Sequence, residues 1–189
     1  MNKIVPALAL AALFAIATTG CGQASSEPSE SAPGSSAMTP EASGSADTAT
    51  GKLTETDGKL TDSDPQAAVI EGAGLSVEID QTAKTAVFQA IDPATGDPFQ
   101  DSLTYDFAAG TFVRKHFVSA MGATFLYNAE PNTGELLSVT NDAGEDAGEA
   151  LRQRGRWDTA AAETMAIKTA LDAWFLQRYG KTVAEVIGS

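Results

Sequence analysis

The chain has 189 residues, with 25 Asp and Glu against 12 Lys and Arg, and a formal net charge of −13. So acidic a surface repels phosphate backbones, which argues against nucleic acid as a partner. One cysteine and one histidine exclude an intramolecular disulfide and a His/Cys metal centre, and no cofactor is expected.

Lys3 opens the chain, an apolar run follows over residues 4–17, and Ala17-Thr18-Thr19-Gly20 leads into Cys21. The run is shorter than a membrane-spanning helix needs, and its flanks are those of a removable segment. These residues resemble the signal peptides of bacterial lipoproteins, with Thr18 standing where a leucine is usual. The resemblance implies cleavage before Cys21 and lipidation of that cysteine. It places the chain at the cell membrane, facing the outside or the periplasm. An ordinary secretory signal and an uncleaved anchor are the alternatives. A diacylglyceryl group on Cys21 would remove the only thiol from catalysis and anchor the chain, since two acyl chains hold where one does so only marginally.

From residue 22 to 66 the sequence is mostly Ser, Ala, Thr, Gly, Glu and Pro, with Met38, Leu53 and Leu60 its only large apolar residues. Such a stretch buries too little surface to offset the entropy of ordering it. It is predicted to be a disordered tether of roughly 35 Å typical reach for about 44 residues, with O-glycosylation as a second use of its hydroxyls. The division is therefore a signal peptide over 1–20, a lipidated tether over 21–66 and one domain over 67–189.

Period-two alternation marks the first half of that domain. Leu75, Val77 and Ile79 alternate with polar neighbours, as do Leu103, Tyr105 and Phe107. Residues 85–91, 112–118, 124–127 and 136–139 complete a predicted antiparallel meander of about six strands. Ala108-Ala109-Gly110 suits a tight hairpin.

Two connections share the form acid-Pro-x-Thr-Gly-acid: Asp92-Pro93-Ala94-Thr95-Gly96-Asp97 and Glu130-Pro131-Asn132-Thr133-Gly134-Glu135. Proline presets the first turn dihedral and glycine takes a positive φ, so each reads as a compact reversal. Independent turn chemistry explains the likeness. An internal duplication, or two loops presenting one acidic surface at the same end of the sheet, is the sharper alternative. Neither loop has the oxygen-ligand spacing of a calcium site. The second turn with its strands, residues 127–139, resembles the terminal hairpin of PepSY domains, which implies a regulator or inhibitor of an envelope peptidase. The helix that precedes the sheet in that family has no counterpart here.

The C-terminal third turns helical. Asp158 is placed to cap a helix over 159–179 that Gly180 ends, and Thr182-Val183-Ala184-Glu185 forms a capping-box pattern. Ala160, Ile167, Leu171, Trp174 and Phe175 form the stripe expected to cover the sheet. Met165 and Leu176 point away and are expected to pack under the last helix through Val183 and Val186, with a partner surface as the alternative.

His116 has no evident partner for a hydrolytic triad, and neither a Gly-x-Ser-x-Gly elbow nor a His-Glu-x-x-His motif is present. It reads as a structural strand residue, and no catalytic residue is assigned. Arg152, Arg154 and Arg156 are the one basic cluster, a candidate anion or partner site. Pairing with Glu145, Asp146 and Glu149 is their blander explanation. The fold class is α+β, an antiparallel sheet with C-terminal helices on one face. The expected function is a lipid-anchored, extracytoplasmic binding module of the bacterial envelope, non-catalytic, meeting a protein, peptide or glycan. A PepSY-like regulator, a carboxylate-based hydrolase of envelope material and a small-molecule carrier are the alternatives.

Overall fold

The structure is a computed structural model that describes residues 51–188. Its eight strands form one antiparallel sheet in chain order: β1 (Thr54–Thr56), β2 (Lys59–Asp64), β3 (Gly74–Asp80), β4 (Thr85–Ile91), β5 (Pro98–Asp106), β6 (Thr111–Val118), β7 (Ala123–Ala129) and β8 (Leu136–Asn141). The helices follow as α1 (Gly148–Gln153), α2 (Trp157–Tyr179) and α3 (Val183–Ile187). Short connections make each strand pair with its sequence neighbour, and the α+β meander read from the sequence is the observed architecture.

The strand count is eight, not about six, because β1 and β2 lie in the stretch read as tether. Asp57 and Gly58, at φ of 52° and 77°, turn one into the other. The left-handed pair is the geometry that an Asp-Gly hairpin favours. Leu60, Asp62 and Asp64 pair with Ile79, Val77 and Leu75 of β3, so they face the same side of the sheet. There Arg178 of α2 grips both acids, at 2.9 Å to Asp62 and 2.9 Å to Asp64. Tyr179 donates to Asp62 at 2.8 Å and Trp174 to Asp64 at 3.1 Å. The ordering comes from a helix more than a hundred residues away, which local composition cannot register. The signal segment, Cys21 and residues 22–50 lie outside the described residues.

The helix-facing side of the sheet carries Leu75, Val77, Ile79, Ala86, Phe88, Leu103, Tyr105 and Phe112, and α2 lays Leu171 and Phe175 on them. Phe88 meets the edges of Tyr105, Trp174 and Phe175 at 6.3, 6.3 and 5.8 Å between ring centroids. Within the expected stripe Ala160, Leu171 and Phe175 are buried, while Ile167 and Trp174 are half-buried against the same core. Thr164 and Lys168 also sit on the buried side of α2. The other sheet face shows Thr61, Ser76, Gln89, Ser102 and Thr104, the polar half of the strand alternation.

Three expectations are corrected. The long helix begins at Trp157 with Arg156 at the cap position, so Asp158 lies inside the first turn and makes no capping bond. Met165 and Leu176 are 46 and 49 % exposed, because α3 turns Val183 and Ile187 into the main core rather than over them. The two acid-Pro-x-Thr-Gly-acid turns are three strands apart in a meander, β4–β5 and β7–β8, and so sit at opposite ends of the sheet. They share no acidic surface. Their common form has a local cause: Asp92 accepts from the N–H groups of Ala94 and Thr95, as Glu130 does from those of Asn132 and Thr133.

Candidate functional site

The groove most suited to a ligand lies between α2, α3 and the β7–β8 turn and encloses about 470 Å³. β5 brings Tyr105 to the helix face of the sheet, and α2 brings Lys168 and Asp172 one turn apart on the side that overlies it. The phenol donates to Asp172 Oδ1 at 2.5 Å, and Lys168 Nζ donates to Asp172 Oδ2 at 2.7 Å. The ammonium also stands 5.6 Å from the centre of the Tyr105 ring, which favours a cation over its face. Burial first, then the bond to Asp172 and that group's charge, push the Tyr105 phenol far above its ordinary value of 10.0. The phenol is thereby held in its protonated form as a donor to Asp172.

The walls are mostly apolar, with Thr169 and Thr182 as polar members. Phe107 stacks on Tyr105 at 5.5 Å and 7° between planes, and Ala173, Leu176 and Val183 line the opposite side. Pro131 and Asn132 close one end. The turn that holds them is rigid for the reason just given, and Gly134, at a φ of 75°, comes so near α2 that a Cβ there would stand 3.0 Å from Lys168 Cδ. Only glycine suits both that dihedral and that approach. At the far end Thr182 accepts from Glu185 N–H at 3.2 Å and Glu185 returns a bond to Thr182 N–H at 2.7 Å, the capping box read from the sequence. It orients the first turn of α3, with Val183, beside the groove.

Chemically, the floor is a trio in which Asp172 accepts from both Tyr105 and Lys168, set among mostly apolar walls. Among the described residues the carboxyls whose titration is displaced, Glu130 and Glu185, both move down, Glu130 to about 2, chiefly through the backbone N–H groups they cap. A glycosidase acid requires the opposite shift. A carrier would need an empty space between sheet and helix, and Phe88, Leu171 and Phe175 fill it with no exposed surface. Among the described residues no group of three or more His, Cys, Asp or Glu is placed to hold a metal ion.

His116 does have a partner. Its Nδ1 lies 2.5 Å from Asp101 Oδ1, which also accepts from Phe117 N–H at 3.3 Å. Backbone pairing of β5 with β6 ends at Ser102 and Lys115, and Asp101 continues the link with its side chain. No hydroxyl or thiol bonds the ring, so a triad is incomplete among the described residues. Arg152, Arg154 and Arg156 are all exposed and lie outside the groove. They do not pair with the expected acids: Glu145 bonds Asn141, Asp146 accepts from Gly148 N–H, and Glu149 accepts from Gln153.

Sequence reasoning missed Tyr105, Lys168 and Asp172 as a group. The usable signal was a lysine on the predicted buried stripe of α2 with an acid four residues on, a spacing that invites an internal pair. Comparison with protein-family models, curated proteins and solved structures finds no match to this chain.

Proposed function

We propose that this chain is a non-catalytic binding module of the bacterial envelope, held at the membrane by a lipidated Cys21 and engaging a peptide segment of a protein partner in the groove beside α2. The observation that carries this reading is the groove's make-up. Mostly apolar walls surround a floor whose three polar groups already bond one another, and Leu176 stands 49 % exposed at its mouth. An apolar side chain entering there would bury Leu176 and Phe107 at about 25 cal/mol per Å² without unpairing any charge.

A photo-crosslinking residue placed at Leu176 in cells making the full chain tests the idea, with the same residue at Thr104 on the uncovered sheet face as control. A discrete protein adduct from position 176 that is absent from position 104 is the expected result. No adduct, or the same adducts from both positions, removes the groove from consideration.

A further inference from the structure

The second feature lies away from the groove, at the junction of α1 and α2. Three guanidiniums are exposed within five residues of a strongly acidic chain. The side chains of Arg154 and Arg156 make no hydrogen bond, ion pair or ring contact among the described residues. Their neighbouring acids are engaged elsewhere: Glu145 with Asn141 at 2.8 Å, Asp146 with Gly148 N–H at 2.7 Å and Glu149 with Gln153 at 3.1 Å. Asp158, in the first turn of α2, is exposed and likewise bonds none of the three. Arg152 differs from the other two in being fixed. Its guanidinium lies over the Trp157 ring at 3.8 Å, a stacked cation that keeps its in-plane donors available. Gly148 leaves room for this stack, since a Cβ there would stand 3.1 Å from the Trp157 ring and 3.3 Å from Arg152 Nη1.

Beside the stack is a hollow of about 290 Å³ that Arg152 and Trp157 share with Ser138 and Thr140 of β8 and with Asp146, whose carboxylate is held by Gly148 N–H, while Arg154 and Arg156 stand outside its lining. We infer that Arg152, Arg154 and Arg156 form a site for a phosphate group, with Arg152 as the preorganised fork and the other two closing on the ligand. The choice of anion follows from the donors. A carboxylate offers one charge and two oxygens, enough for one fork, whereas a phosphate offers more oxygens and up to two charges to several guanidiniums at once. The chain's overall negative charge would keep such a ligand from other parts of the surface. This inference does not depend on the groove.

The test uses the full chain reconstituted in nanodiscs of phosphatidylcholine, with inorganic pyrophosphate as probe and the arginine Nε resonances as readout. Saturable shifts at Arg152, Arg154 and Arg156 are expected, with the affinity lowered at least tenfold in the Arg154→Glu, Arg156→Glu double variant, which loses two charge-assisted contacts. Because those two side chains make no hydrogen bond, ion pair or ring contact among the described residues, thermal unfolding of the variant should match the parent. Adding phosphatidylglycerol to the nanodisc identifies the natural source. Loss of the pyrophosphate response there means that lipid headgroups fill the site, and an unchanged response means a soluble or polymeric phosphate. Absence of saturable shifts in phosphatidylcholine, or equal affinity in the double variant, overturns the inference.

Discussion

Lys168 is 7 % exposed, and its ammonium is paired with Asp172, which Tyr105 fixes in turn. Asp172→Ala should therefore destabilise the domain by about 2 kcal/mol, below the usual loss for a fully buried pair because the Asp172 side chain is 45 % exposed. Lys168→Met keeps the stem and removes the charge, and should cost less than about 1 kcal/mol. Urea unfolding of both variants reads the difference, and equal losses would mean that packing, not charge, holds the floor together. Glu130 gives a pH signature. Its folded value of about 2 lies below the 4.5 of an unperturbed carboxyl, because the Thr133 and Asn132 donors favour the ionised form. The folded state then binds fewer protons than the unfolded one between these values, so the contribution is complete above about pH 4.5 and disappears as pH falls toward 2. Glu130→Gln should lower stability at neutral pH and converge on the parent near pH 2, with Tm against pH as the measurement. The turn that holds Glu130 was legible in six consecutive residues through its Pro131 and Gly134, though the acceptor role of Glu130 was not. The trio was not, because Tyr105 and Asp172 lie 67 positions apart and only the packing of α2 on β5 brings them together.

At the scale of elements, the strands of the predicted meander were readable because each alternates apolar and polar residues and ends in its own turn chemistry. The β1–β2 hairpin shows where that reading fails. Asp57-Gly58 is a strong turn signal, but the strands beside it are hydrophilic, and composition outweighed the turn. What holds β2 to the helix layer is the Arg178 cluster, in which the guanidinium is 18 % exposed and bonds Asp62, Asp64 and Ser63. Arg178→Ala leaves two mostly buried carboxylates without their cation and should cost roughly 3 kcal/mol. The loss should appear first as protease cleavage within residues 51–66, before the rest of the sheet opens. A variant that loses stability uniformly, with no early cleavage there, would show that the hairpin is not a separate unit. For α2 the apolar stripe was legible, whereas the exposure of Met165 and Leu176 was not, because the course of α3 depends on how deeply Val183 and Ile187 enter the core.

For the whole molecule, the folded part begins before the predicted boundary at residue 67, so limited proteolysis of the intact chain should leave a resistant core that still contains Thr54–Asp64. Under the lipoprotein reading, how that core is held in the cell is a question about Cys21. No helix among the described residues is long and apolar enough to cross a membrane. The lipoprotein reading rests attachment on two acyl chains at Cys21, where one alone would hold only marginally. Cys21→Ser should then move the protein from the membrane fraction to the soluble envelope fraction or the medium. The arginine site adds a second condition. If it meets lipid phosphate, part of the variant should stay on membranes at low salt and leave in a high-salt wash, since exposed charges are screened within about 8 Å at physiological ionic strength. Residual binding lost in the Arg154→Glu, Arg156→Glu background would assign that fraction to the site. Membrane retention that survives high salt, with the segment over 1–20 still attached, would instead identify the apolar run at residues 4–17 as an uncleaved anchor and end the lipoprotein reading.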